Sequence, residues 1–247
     1  MSSFFVCTLT AVPLRAEAAH RSEMVSQVLF GEMMQALETG NDFTRVQCLY
    51  DGYEGWVQSN QLTPIEKVFK PIGFVRDWST TALVQGAPRR VPLFAPVYKK
   101  EHLPFVHFEA GVAVSGAPLV MNEAALETVY APLLGTPYLW GGRSPFGIDC
   151  SGFTQQVMKL FGSKLLRDAS LQITQGKAVA LAQRQPGDLA FFNNEKGRIT
   201  HVGIVLGEGR IVHAAGQVRI DVLTAEGIWN EDVKKQTHVL HSVRRMG

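Results

Sequence analysis

Prolines at 71, 88, 92, 96 and 104 break up the stretch between Pro64 and residue 118. A proline inside a helix removes a backbone donor and clashes with the preceding turn, so no long helix fits there. Short apolar runs lie between the breaks, such as Ile72-Gly73-Phe74-Val75 and Val112-Ala113-Val114. They predict a β-unit over residues 66–121. Upstream, Phe4-Phe5-Val6-Cys7-Thr8-Leu9 reads as the first strand, and Met24 to Leu37 mixes apolar and polar residues around Gly31. Thr44 to Tyr50 and Gly55 to Gln58 flank Asp51-Gly52, a dipeptide suited to a tight hairpin turn. This spacing predicts a small β-barrel over residues 1–65, closed by Pro64.

The pattern changes at Asn122. Leu126, Val129, Tyr130 and Leu133 recur at helical spacing between Glu123 and Leu134, with Asn122 placed as N-cap. A Gly- and Pro-rich loop follows, then a second helical pattern at Phe153, Val157, Leu160 and Phe161, starting near Asp149–Ser151 and stopped by Gly162. Beyond Gln185-Pro186-Gly187-Asp188 the chain reads as strands: Leu189–Phe192, Thr200–Leu206, Arg210–Ala214 and Thr237–Val243. Helices followed by an antiparallel sheet predict an α+β domain over residues 122–247.

Charge and apolar content exclude several classes. The formal net charge is +2, without the basic face a dedicated nucleic-acid binder needs. No apolar run approaches the ~18 residues of a membrane span. The opening Met1–Pro13 has no Lys or Arg, and Thr8 and Thr10 interrupt it, so it reads as a strand rather than a signal peptide. Three cysteines, Cys7, Cys48 and Cys150, are odd in number and spaced for neither a disulfide framework nor a zinc knot. A reducing, cytoplasmic setting is the expectation. No cofactor or metal site is expected.

Cys150 stands where the second helical pattern begins, and a helix N-terminus favours a thiolate. Cys7 and Cys48 read as inert core residues. A cysteine nucleophile needs a base. With Gly207-Glu208-Gly209 as a loop, the flanking strands form a hairpin in which His213 faces Gly203 and His201 is the diagonal neighbour. Diagonal side chains on one face lie about 7–8 Å apart, and the missing side chain at Gly203 lets a ring lean across. Two imidazoles then share one spot, with His201 as base and His213 orienting it. The histidines at 20, 102, 107, 238 and 241 show no such arrangement.

Five ordered motifs carry a resemblance to the bacterial NlpC-type peptidases, papain-like thiol hydrolases of peptidoglycan peptides. They are Tyr138-Leu139-Trp140-Gly141-Gly142, Gly147-Ile148-Asp149-Cys150-Ser151-Gly152, Gln185-Pro186-Gly187-Asp188-Leu189, Thr200-His201-Val202-Gly203-Ile204 and Val212-His213-Ala214. Asp51-Gly52-Tyr53-Glu54-Gly55-Trp56-Val57 resembles the SH3-like domains that often precede such catalytic domains. The resemblance implies a papain-like domain behind one or two SH3-like barrels. It implies Cys150 as nucleophile, His201 as base and His213 as third member, with Tyr138 helping to hold the oxyanion. Asp149 and Ser151 would bind a substrate's free α-amine and nearby backbone, and Tyr53 or Glu54 would contribute from the SH3-like domain. The implied substrates are peptidoglycan-derived peptides of the type L-Ala-γ-D-Glu-diamino acid, cut at the γ-D-glutamyl–L-diamino acid amide. A free N-terminal L-Ala would mark turnover fragments and a recycling role. A thiol amidase or acyltransferase on the same fold, and a catalytically silent wall-binding adaptor, are the alternatives.

Overall fold

The structure is a computed structural model and describes residues 3–247. Met1 and Ser2, the start of the apolar opening, lie outside the described residues. The chain forms two compact units. One is the chain through Ala117 together with Trp140–Pro145; the other is Pro118–Leu139 together with Phe146–Gly247.

The first unit is built of short antiparallel strands. Its largest sheet has seven, in the spatial order Met24–Leu29, Ala11–Arg15, Glu54–Gln58, Phe43–Cys48, Met33–Thr39, Phe4–Val6 and Thr63–Ile65. The Asp51-Gly52 turn joins Phe43–Cys48 to Glu54–Gln58, with Val46 opposite Gly55. Gly52 adopts φ +75° and donates its N–H to Cys48 O at 2.8 Å, a geometry a side chain would strain. The stretch 24–37 is two strands that turn at Gly31, φ +79°.

Residues 66–117 add two three-stranded sheets. Strands Ala87–Pro92 and Pro96–Val97, which carry prolines, lie at sheet edges, where a missing N–H costs no ladder bond. Val75, Ala82, Val84 and Val91 share one apolar core with Val6, Phe30, Met33 and Ile65, so both β-rich stretches pack around common ground.

The second unit opens with helix α1 (Glu123–Tyr130), capped by Asn122, whose Oδ1 accepts from Ala125 N at 2.9 Å. Pro132 cannot donate to a continued ladder, and the last turn tightens into a 3-10 segment, Ala131–Leu133. Helix α2 (Cys150–Leu160) is buried along its whole length, and Gly162 at φ +82° follows its end. A short helix α3 (Ala169–Gln172) follows.

Seven antiparallel strands complete this unit: β1 (Lys177–Val179), β2 (Leu189–Asn193), β3 (Ile199–Val205), β4 (Arg210–Ala215), β5 (Gln217–Leu223), β6 (Gly227–Asn230) and β7 (Lys235–Arg245). Their order is β1-β7-β2-β3-β4-β5-β6, and β7 also pairs with β6. That extra pairing closes six strands into a barrel, because the eleven residues of β7 are long enough to serve both neighbours. Ala190, Phe192, Val205, Ile211, Leu223, Ile228 and Val243 form an apolar cluster within it. The whole is a mixed α+β chain with an SH3-like N-terminal region.

Candidate active site

The β3–β4 hairpin pairs Gly203 with His213, Ile204 with Val212 and Val205 with Ile211. This is the register in which His201 and His213 share a face. The rings meet, His201 Nε2 lying 2.8 Å from His213 Nδ1. Gly203 makes the approach possible: a Cβ there would fall 2.9 Å from His213 Cβ and 2.8 Å from Ile211 Cδ1. Both imidazoles are buried, and Phe192, opposite His201 on β2, lies against it at 5.7 Å between ring centroids.

Cys150 is the first residue of α2, which packs on β3 and β4. Its thiol comes within hydrogen-bonding reach of the backbone at Val202, next to His201. Burial pushes the thiol up to about 12, and the Asp149 carboxylate adds to this; the backbone at Val202 and Ser151 and the Arg167 guanidinium pull the other way. Burial also holds His201 well below the usual imidazole value, aided by His213 and His238. Both shifts favour the uncharged forms, a thiol at Cys150 and a neutral imidazole at His201. Cys7, by contrast, contacts Leu9 O and Val28 O, and both Cys7 and Cys48 are buried in an apolar cluster of the first unit.

Asp149 and Ser151, expected to bind a substrate's free α-amine and nearby backbone, are held in a buried lattice of hydrogen bonds. Asp149 caps α2, its Oδ1 accepting from Gly152 N at 2.7 Å. Arg167 donates to both of its oxygens, at 3.1 and 2.6 Å, and to Ser151 Oγ at 2.9 Å. Ser151 Oγ in turn donates to Asp149 Oδ1. All three side chains are buried. A carboxylate this far from water needs a paired cation, and the guanidinium fork supplies it. Gln172 extends the lattice, donating to Ser151 O and accepting from Thr154 Oγ1. The group thus fixes the start of the Cys150 helix.

Tyr138 is half-buried, and burial together with nearby Cys150 and Asp149 raises its phenol above the ordinary value, so its hydroxyl keeps its proton. Tyr53 and Glu54 belong to the first unit. Tyr53 packs against its apolar cluster, and Glu54 is exposed and accepts from Arg45 at 2.9 Å.

Three further residues complete the cluster. His213 Nε2 lies 3.0 Å from Asp221 Oδ2, and Arg219 holds both Asp221 oxygens at 2.8 and 2.9 Å. His238, read from sequence as having no part in the arrangement, stacks on His201 at 4.1 Å between centroids. It sits on β7, 37 residues after His201 in the chain, and β7 is brought near by its pairing with β2, which in turn pairs with β3. Asp221 carried a readable signal: Gln217–Leu223 alternates, and Gly216 makes the turn that sets Asp221 diagonal to His213. Arg167 carried none at the level of spacing. Among the described residues no group of three or more His, Cys, Asp or Glu side chains is arranged to hold a metal ion.

The profile of the NlpC/P60 family matches residues 135–238, and that of the bacterial dipeptidyl-peptidase Sh3 domain matches residues 14–62. A gamma-D-glutamyl-L-lysine dipeptidyl-peptidase of Bacillus subtilis is 32% identical over 232 residues, covering 84% of this chain and 78% of the relative. The chain belongs to the NlpC/P60 family. A second gamma-D-glutamyl-L-lysine dipeptidyl-peptidase, from Bacillus cereus, is 28% identical and covers 78% of this chain and 68% of its own. The crystal structure of an NlpC/P60 family protein from Bacillus cereus shares the fold, with a TM-score of 0.80 at 21% identity, covering 98% of this chain and 99% of that one. The protein is accordingly an NlpC/P60 cysteine peptidase of the peptidoglycan-directed class.

Proposed function

We propose that this NlpC/P60 peptidase hydrolyses the amide between the γ-carboxyl of D-glutamate and an L-diamino acid, in stem peptides with a free N-terminal L-Ala. The observation that carries the reading is the likeness to gamma-D-glutamyl-L-lysine dipeptidyl-peptidases across both regions of the chain. An enzyme that removes an N-terminal dipeptide must find a free N-terminus. In intact wall that L-Ala is capped by muramic acid, so the natural substrates are turnover fragments, and a cytoplasmic recycling role follows.

The arrangement of these side chains supports the following roles. Cys150 attacks the γ-carbonyl while His201 takes its proton, and His213 orients His201. The Tyr138 hydroxyl and the backbone N–H groups at the start of α2 stabilise the oxyanion. Loss of the amine leaves an acyl-enzyme that water then releases. Asp149 has its place in the Arg167 lattice, so the preference for a free amine rests on the relatives' mode of action rather than on that carboxylate.

The test is mass-spectrometric detection of the dipeptide L-Ala-γ-D-Glu from tripeptides ending in L-lysine or diaminopimelate, with and without N-acetylation. Release from the free-amine peptides, suppressed by acetylation and abolished in Cys150→Ala, is the expected result. Failure to cleave either free-amine tripeptide overturns the substrate assignment.

A further inference from the structure

His213 has two ring nitrogens and two fixed partners, and this determines where protons sit across the site. The Asp221 carboxyl is pushed up by burial, but hydrogen bonds from His213 and Arg219 outweigh that and leave it below its ordinary value. It is ionised at neutral pH and can only accept. The 3.0 Å contact with His213 Nε2 therefore needs a hydrogen on that nitrogen. A neutral His213 then has a bare Nδ1, which can only accept. The 2.8 Å contact with His201 Nε2 consequently needs the hydrogen on His201 Nε2. That leaves His201 with a bare Nδ1, the lone pair a general base requires.

We propose that Asp221, anchored by Arg219, is a positioning residue that fixes the tautomer of His213 and, through it, that of His201, so that His201 Nδ1 is the base for Cys150. The inference rests on the thiol-hydrolase reading of the site and adds a fourth and fifth member to the row Cys150, His201, His213. The step balances. The Cys150 proton moves to His201 Nδ1 as the sulfur–carbon bond forms, and the imidazolium keeps its Nε2–H on His213. The dipole of His213 and the charge of Asp221 then face the new positive charge.

The charged surroundings support this assignment. Arg219 is itself tied to Asp232 at 2.8 Å, so Asp221 sits between a guanidinium and an imidazole. His238 stacks on His201, and burial together with His213 lowers it to about 4, so it brings no second proton at neutral pH. Ile211 is the residue opposite Asp221 on β4, and Arg219 is opposite His213, so the register holds Asp221 on the imidazole face.

Asp221→Asn preserves shape and removes the acceptor-only property. With its amide oxygen kept by Arg219, its NH2 group donates to His213 Nε2. His213 then donates from Nδ1 to His201 Nε2, and His201 Nδ1 gains a hydrogen. Nitrogen-15 NMR of histidine-labelled protein reads the tautomers without any substrate, and the rate of Cys150 alkylation by iodoacetamide reads the base. Wild-type His201 and His213 are expected as Nε2–H tautomers, switching to Nδ1–H in the variant. Alkylation should slow, and kcat should fall about 10²–10⁴-fold with KM little changed.

Nδ1–H tautomers in the wild type overturn the proposal, as does retention of Nε2–H on both rings in Asp221→Asn, or a tautomer switch with undiminished kcat and alkylation. If the variant does not fold, the wild-type spectrum alone decides. If the wild type cleaves no γ-D-glutamyl peptide, the substrate reading fails while the tautomer and alkylation measurements still stand.

Discussion

Gly203 stands directly across the β3–β4 hairpin from His213, and its missing side chain lets the His201 and His213 rings meet at 2.8 Å. An added Cβ would lie 2.9 Å from His213 Cβ, which is main-chain-bound and cannot swing aside. Gly203→Ala should therefore move β4 or turn the His213 ring. The expected outcome is at least a tenfold fall in kcat and a loss of about 1–3 kcal/mol in urea unfolding. Wild-type turnover in a folded Gly203→Ala protein would show that the close ring contact is not needed.

The pairing of His201 with His213 was legible because a hairpin is local: loop length sets register, and register sets which side chains share a face. The start of the Cys150 helix near Asp149–Ser151 was legible for the same reason, since a helix start is written in a few neighbouring residues. The stacked His238 was not. It reaches His201 because β7 pairs with β2, itself paired with β3, and that pairing is a long-range event that no local pattern announces. The partner of Asp149 was hidden for a related cause. A carboxylate beside a nucleophile looks available until a guanidinium from residue 167 is brought in to pair with it. The strand Gln217–Leu223 alternates clearly, yet the meaning of Asp221 appears only once β5 is set against β4.

The Arg167–Asp149 pair gives a stability prediction. Both partners are buried, so removing one leaves the other charge unpaired away from water. Arg167→Ala should cost about 3–5 kcal/mol by urea unfolding. The double change Arg167→Met with Asp149→Asn should cost less than the single ones combined, because it leaves no bare charge. Additive losses would show that the two residues do not depend on each other. Asp149→Asn should leave the ratio of rates on free and N-acetylated peptides as in the wild type.

The shift at His201 gives a pH prediction. Burial, His213 and His238 keep its protonation well below 6.5. A base must be neutral to act, so kcat/KM should hold its plateau through pH 6.5 and fall only at lower pH. In His201→Ala the Cys150 thiol keeps the burial and the Asp149 charge that raise it to about 12. Its alkylation should then be slow at pH 7 and rise steadily into the alkaline range. An acid limb centred at or above pH 6.5 would count against the buried, neutral base.

His238 makes the protein acid-sensitive in a defined window. Burial and the neighbouring His213 bring it from 6.5 to about 4, while Asp221 opposes the change. Between pH 6.5 and 4 the unfolded chain binds a proton at this ring and the folded protein does not. The unfolded state binds more protons, so stability decreases as pH falls through that window and changes no further from this group below pH 4. The ring is only half-buried, and solvent screening reduces the contribution to about 1–2 kcal/mol. In His238→Gln that loss is absent. Comparing urea unfolding at pH 7 and pH 4.5, the variant should lose less stability than the wild type by that amount, whatever uniform cost the lost stacking on His201 brings. Parallel losses in the two proteins would mean that His238 takes up its proton as readily folded as unfolded, and that the ring stacked on His201 is not held neutral.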